Sequence, residues 1–343
     1  VTLLVDRPLA LYSGMVPGFI AGQYGREDLA FDLERWAART GAELVQDRAT
    51  GFDPTLKLIH LANGDSLPYD VCSWNIGSAV HGLELPGVRQ YALRTRPIGA
   101  FVEQVLAKLE AAAVTRGQAD LRLVLVGGGA AGVELALCMQ SRARVFGASA
   151  IRVHVLCASS ELLPGSPASL RRRIEGEFRR RGVEHSCSTR VVELRDGAVE
   201  LHSGDVLPAD LVVWVTGAAS HLPTTDDAPS LTPHGWIPVR NTLQHVDHPE
   251  LFAAGDCAEL VDHPTTPKAG VFSVRQGPVL AHNLRAVLAG TSLRSYEPQP
   301  DFLVLLNLGD GRAAGAKWGC SFSGRWVMRW KNRIDRAFMK RFS

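Results

Sequence analysis

The run LRLVLV at 121–126, followed at once by Gly127-Gly128-Gly129-Ala130-Ala131-Gly132, constrains this chain more than any other feature. A short, mainly apolar stretch, interrupted only by Arg122, reads as a strand covered on both faces, and the glycines fit G-x-G-x-x-G between that strand and a following helix. In this context each glycine has a physical task. Gly127 permits a tight turn, Gly129 lets a pyrophosphate approach the backbone, and Gly132 lets helix and strand pack closely. The helix N-terminus then offers free N–H groups and partial positive charge to the phosphates. The pattern continues as a complete βαβ domain, with a strand at 151–156, a helix from Pro167 to Arg181 stopped by Gly182, and LVVWVTG at 211–217 ending in Gly217. An acidic residue usually closes the second strand of such a domain and accepts from the ribose 2′-hydroxyl. Cys157 stands at that position and no Arg replaces it, so the choice between NADH and NADPH is open there.

Either side of this domain lie pieces of a second α/β unit. Residues 1–5 read as a strand, Tyr12 to Gly18 as a Gly/Pro-punctuated loop, and Asp28 to Arg39 as a helix with Gly41 just past its end. Turn signals at Asp53-Pro54 and Asn63-Gly64 separate short strands that run into 71–76 and Gly77. After a polar Pro-rich stretch from His221 to Pro233 comes LFAAGD, ending in Gly255-Asp256, and a helix from about Phe272 to Leu288. A carboxylate at a strand tip can hold the hydroxyls of a ribityl chain, although Asp is also a favoured turn cap.

Composition excludes several classes. With 46% hydrophobic and 21% charged residues and a net charge of +2, the 343-residue chain is neither disordered nor globally biased toward nucleic acid. Its six cysteines form no CxxC pair, which argues against a disulfide scaffold and for a reducing, cytoplasmic setting. His245 and His248 have a spacing that could serve a metal, but no cysteine or carboxylate set completes it, so no metal site is expected. The arginines at 171–173 and 179–181 read as the solvated face of a helix. From Arg325 to Ser343 there are seven basic residues and one acid, while Trp326, Val327, Trp330, Ile334, Ala337 and Phe338 share one helical arc. Such a helix suits either an anionic membrane surface or packing, on its own domain or on a second copy in a homodimer.

The order of these elements resembles the FAD-dependent pyridine nucleotide oxidoreductase superfamily over nearly the whole chain. YSGMVPGFIAG near the start, PKAGVFSVRQGPVLAHNL at 267–284 and LNLGDGRA at 306–313 resemble its type II NADH dehydrogenase-like branch, above all the oxidoreductase domains fused to selenide, water dikinase. The resemblance implies an FAD domain in two parts, 1–95 and 221–290, interrupted by an NAD(P) domain at 96–220 and followed by a small α+β segment at 291–343. It implies that Gly77, Gly255 and Asp256 contact FAD, and that Gly270, Val271 and Phe272 bring a helix N-terminus to the flavin ring, where it would stabilise negative charge. Glu134 would lie near nicotinamide and flavin; alternatively it is a first-turn Glu favoured by the helix dipole. Three departures stand out. The FAD-binding GxGxxG of the first strand is not in this sequence, which opens at what reads as the second strand, so about thirty residues are expected upstream. The loop from Tyr12 to Gly18 has no redox cysteines, which argues against disulfide reduction. Of the branch's two glutamines near the quinone, Gln276 matches the second and Phe272 occupies the first. The expected activity is hydride transfer from NAD(P)H to FAD and on to an acceptor such as a quinone. A redox-silent nucleotide-sensing or scaffold module, or an oxidoreductase of sulfur or selenium metabolism, is the alternative.

Overall fold

The structure is a computed structural model that describes residues 1–116, 119–148, 150–222 and 229–342; part of the Pro-rich stretch and Ser343 fall outside them. The chain divides into two compact units, one comprising residues 1–10, 32–79 and 218–300, the other 11–31, 80–217 and 301–343. This grouping cuts across the segments expected above, because 11–31 and the C-terminal residues belong with the GxGxxG domain.

The second unit is built on a five-stranded parallel sheet in the order Ala92–Arg94, Leu211–Trp214, Leu121–Val126, Ile151–Leu156, Val183–Ser186. The first strand of the βαβ series is central, so the chain order reverses beside it, at the carboxyl ends of Leu121–Val126 and Leu211–Trp214, where sheets of this kind take their ligands. Helices Ile98–Arg116, Ala130–Val145 and Ala168–Arg181 provide cover, and Gly182 ends the last of them in a left-handed cap at φ 67°. Leu123, Leu125, Val153, Val155 and Val213 are each at most 1% exposed, the near-continuous apolar strands that a sheet covered on both faces requires. On this body sit the Ser13–Met15 and Val16–Ile20 helical turns, where a plain loop was expected, because Met15 and Ile20 are wholly buried in the same core. The C-terminal residues add an antiparallel sheet (Val304–Asn307, Ala313–Lys317, Cys320–Gly324) and the helix Arg325–Met339.

The first unit contains parallel pairs Thr2–Val5 with Glu43–Gln46, Cys72–Trp74 with Leu251–Ala253, and Ile237–Val239 with Ala258–Leu260. The two turn signals make the antiparallel meander Ala49–Asp53, Leu58–Leu61, Ser66–Pro68. The expected helix from Asp28 begins later: it is Leu33–Thr40, because Asp32 accepts from Arg35 N and caps it, while Gly41 closes it at φ 68°. Helix Gly270–Ala289 completes the unit over a core of Val239, Leu243, Phe252 and Leu280.

Candidate nucleotide and flavin sites

In the second unit Gly127 has φ 133°, and a Cβ there would overlap the Val215 carbonyl oxygen, so no other residue fits the turn. A Cβ on Gly132 would overlap the Gly127 carbonyl oxygen, which is the close helix–strand packing expected of the third glycine. Gly129 is different. A Cβ there meets no atom within 4 Å, and Gly129 caps a helix whose N-terminus has no side-chain cap. Open space over uncapped N–H groups fits a pyrophosphate. Gly217 lies at the same edge, where its carbonyl accepts from His81 N at 2.9 Å. Cys157 is 2% exposed and its thiol points to Glu161 O at 3.4 Å. It is therefore tucked beneath the turn and offers a ribose no carboxylate.

Glu134 stands at the fifth position of the helix Ala130–Val145, whose first turn contains no acid, so the helix-dipole reading fails. Its Oε1 accepts from Asn307 N at 2.7 Å, tying the helix to the C-terminal sheet. Burial pushes the carboxyl up to about 7, against the pull of Lys331 and the Asn307 bond. Behind it lies an ionic cluster. Lys331 Nζ donates to Asp335 Oδ2 at 2.9 Å and to Gly14 O at 2.8 Å, and Tyr12 Oη donates to Asp335 Oδ1 at 3.4 Å. Burial by itself would lower the Lys331 ammonium, but Glu134 and Asp335 hold it above its ordinary value. Burial and Asp335 raise Tyr12 to about 12.

The C-terminal helix keeps only part of the arc read from its sequence: Val327 is buried and Phe338 packs on Tyr12 and Phe31, but the remaining members face out. It buries Val327, Met328, Lys331 and Asp335, and leaves Trp326, Trp330 and Ile334 55%, 40% and 39% exposed. Phe322, Trp326 and Trp330 form an outward aromatic ladder with centroid separations of 5.5 to 6.4 Å. The Lys331–Asp335 pair, one helical turn apart, neutralises itself and finds partners inside, which makes that face buriable. The arginine-rich helix also departs in part from expectation. Arg181 donates to Gln140, Ser141 and the carbonyls of Leu137 and Leu308, and Arg173 to Ser321 and Ser323. Arg181 and Arg173 thus fasten the C-terminal sheet to the nucleotide domain, while Arg172, Arg173, Arg179 and Arg180 remain exposed, as the solvated-face reading expects.

In the first unit the strand Leu251–Ala253 runs into Gly255 at φ 78°, whose N–H donates to Gln276 Oε1 at 2.6 Å. Gln276, matched by sequence to a quinone-site glutamine, therefore holds this turn. Asp256 Oδ2 accepts from Ser78 Oγ at 3.1 Å, which brings Gly77 and Asp256 to one edge. Gly255, Asp256, Lys268, Phe272 and Gln276 line a cleft there. Lys268 donates to Ala258 O and lies 4.4 Å over the Trp236 ring; burial lowers its pKa. Helix Gly270–Ala289 opens at Ala269 without a side-chain cap, so Gly270 and Val271 begin it with free amides. Phe272 does not share that role, because its N–H bonds Ala269 O at 3.0 Å and its ring is buried. The carboxylate, the left-handed Gly255 and the uncapped helix start at one edge fit a polyhydroxylated, anionic cofactor such as FAD. Lys268 was missed in the sequence, where a single Lys before a helix has no distinguishing pattern. His245 uses both ring nitrogens, on Ser230 O and Asp247 N.

A family model described as pyridine nucleotide-disulphide oxidoreductase matches residues 2–284. The chain belongs to that family. This makes it an FAD-dependent NAD(P)H oxidoreductase with the paired dinucleotide-binding architecture read from its sequence. Among curated proteins it is 27% identical over 338 residues to demethylphylloquinone reductase of Synechocystis sp., covering 94% of this chain and 81% of that protein. It is 26% identical over 188 residues to the type II NADH:quinone oxidoreductase of Haemophilus influenzae, covering 52% and 42% of the two. In fold it is similar to the sulfide:quinone oxidoreductase of Aquifex aeolicus, with a TM-score of 0.82 and 16% identity across 99% of this chain and 85% of that one. NDH2 of Plasmodium falciparum gives a TM-score of 0.75 at 14% identity, across 99% and 93%. No helix among the described residues is long and apolar enough to cross a membrane.

Proposed function

We propose that this family member oxidises NAD(P)H through FAD and delivers the electrons to a quinone, as the names of the similar reductases suggest, with Glu134 as the residue that carries a proton for the reaction. When bound, the flavin supplies the hydride and electron chemistry. The protein orients and screens. Gly127, Gly129 and Gly132 with the Ala130–Val145 N-terminus hold the nicotinamide nucleotide's pyrophosphate, while Gly77, Gly217 and Cys157 shape the strand ends. Asp256 accepts from ribityl hydroxyls, and Gly255, Gly270 and Val271 leave the backbone open to the ring system.

The observation that carries the proton assignment is the Glu134 carboxyl, pushed up to about 7 by burial and backed by Lys331. Such a group gives up and takes back a proton near neutral pH without a large penalty, which suits general acid–base work. Quinone reduction by NADH, followed across pH in the wild type and in Glu134→Gln, tests this. The variant should lose at least tenfold in kcat with NADH affinity retained. An unchanged kcat and pH profile would remove Glu134 from the reaction.

The aromatic ladder supports a second element of the reading, a peripheral contact with anionic membrane. Trp326 and Trp330 lie outward among Arg325, Arg329 and Arg333, the arrangement that settles in a lipid headgroup layer. Sedimentation with anionic vesicles should fall on Trp326→Ser/Trp330→Ser and on raising salt. A change of oligomeric state with vesicle binding unaffected would assign the ladder to a homodimer instead.

A further inference from the structure

Two thiols meet beneath the nucleotide loop. Cys157 directly follows the strand Ile151–Leu156 and Cys187 directly follows Val183–Ser186, strands that pair in parallel with Leu156 opposite Ser186. Past that pair the two chains stay joined but irregularly: Cys157 N donates to Ser186 O at 2.8 Å, and Thr189 N reaches Cys157 O at 2.9 Å because Ser188 turns aside at φ 52°. Ser188 N donates to Ser159 O at 2.8 Å and zips the two strand ends further. The cysteines thus stand side by side at the ends of adjacent strands, which run about 4.8 Å apart at the backbone, within the span a disulfide bridges. Burial, first, and the neighbouring Cys157 raise the Cys187 thiol above its ordinary value, in keeping with two thiols that lie close to each other. Cys157 is buried, whereas Cys187 is partly exposed and within reach of a reagent in solution.

We propose that Cys157 and Cys187 are a reversible dithiol–disulfide site, oxidised by low-molecular-weight disulfides of the glutathione type, and that its oxidation weakens nicotinamide nucleotide binding. The Cys187 thiolate attacks the reagent's S–S bond, which breaks and releases one glutathione thiolate, leaving a mixed disulfide on Cys187. Cys157 gives its proton to solvent and attacks the Cys187 sulfur, and the second glutathione leaves. Two protein thiols are oxidised and one reagent disulfide is reduced to two thiols; excess reduced glutathione reverses both steps.

The effect on nucleotide binding follows from where Cys157 lies. Any Cβ on Gly128 would collide with the Cys157 sulfur, so this thiol is the floor on which the 127–129 turn rests. Forming the disulfide draws the two Cβ atoms to about 3.8 Å, closer than parallel strands hold them, and moves the sulfur out from under Gly128. The turn that should receive the pyrophosphate loses its support. The binding half of this inference rests on the nucleotide site proposed above, whereas formation of the disulfide does not.

The test uses the full chain carrying Cys320→Ser, which removes the exposed competing thiol. After treatment with oxidised glutathione, mass spectrometry should show loss of two hydrogens and a cross-linked peptide pair containing Cys157 and Cys187. NADH affinity, measured by titration, should drop about tenfold and return on reduction, a change of about 1.4 kcal/mol. Adding Cys187→Ser should abolish both responses. A stable glutathione adduct on Cys187, or no reaction there, would overturn the pair. A cross-link with unchanged NADH affinity would overturn the coupling, provided Gly129→Val abolishes NADH binding. If Gly129→Val also leaves affinity unchanged, the nucleotide site itself is misplaced.

Discussion

The helix Ala130–Val145 and the helix Arg325–Met339 are packed into the same unit, yet they stand at opposite ends of what local sequence controls. The first follows a glycine turn whose steric demands are met within a few residues, so its start, packing and open N-terminus are set locally. The second has a clear amphipathic pattern, and the structure follows it only in part: Val327 and Phe338 pack inward, but Trp326 and Trp330 face out and a Lys–Asp pair faces in. Apolar periodicity reports which face could be buried alone. It does not report a charged face that becomes buriable once its charges cancel and the surrounding backbone and hydroxyls accept its protons. Glu134 is where the two helices meet electrostatically, since Lys331 acts on its carboxyl.

The largest test of this contrast is Gly132→Ala against Gly129→Val. The added methyl at 132 has an immovable carbonyl in its way and should cost roughly 4 kcal/mol or more, along with nucleotide binding. The valine at 129 enters open space, so thermal unfolding should shift little while NADH affinity falls by about a hundredfold or more. Equal destabilisation by the two would show that the turn is not differentiated as described.

Next comes the C-terminal helix. Lys331→Met leaves Asp335 buried without its partner and should cost about 3–5 kcal/mol in denaturant unfolding, whereas Lys331→Met/Asp335→Leu should recover most of that loss. A single variant as stable as the wild type would mean that this face is not the buried one.

Glu134→Gln has a smaller effect with a definite sign. The folded carboxyl titrates at about 7, above the ordinary carboxylate range, so the folded state holds its proton more tightly than the unfolded chain. The stability this confers is complete below the unfolded pKa and is lost as pH rises through about 7. The wild type should therefore lose about 1–3 kcal/mol relative to Glu134→Gln between pH values near 4 and 8. Parallel stability curves for the two proteins would contradict the shifted carboxyl.

The smallest expected change is in stability on replacing Trp326 and Trp330 with Ser. Both rings are largely outside, so unfolding should move by only about 0.5 kcal/mol per site, even where vesicle binding falls. A loss of several kcal/mol would restore the packing arc read from the helical wheel.

Sequence alone determined the βαβ series of the nucleotide domain, the roles of Gly127 and Gly132, the cap at Gly182 and the meander turns, because each rests on sterics or hydrogen bonding within a few residues. It also brought Gly255-Asp256 to a strand tip, and the order of motifs carried the family. The tertiary structure decided which partners long side chains find. It gave Arg181 to the carbonyls of Leu137 and Leu308, and Gln276 to the Gly255 amide. It set Lys331 and Asp335 inward and raised the Glu134 carboxyl by surrounding it with residues from distant parts of the chain. The physical reason is range: dihedral preferences and caps act over one turn, whereas burial and charge pairing are fixed only when segments hundreds of residues apart exclude water together.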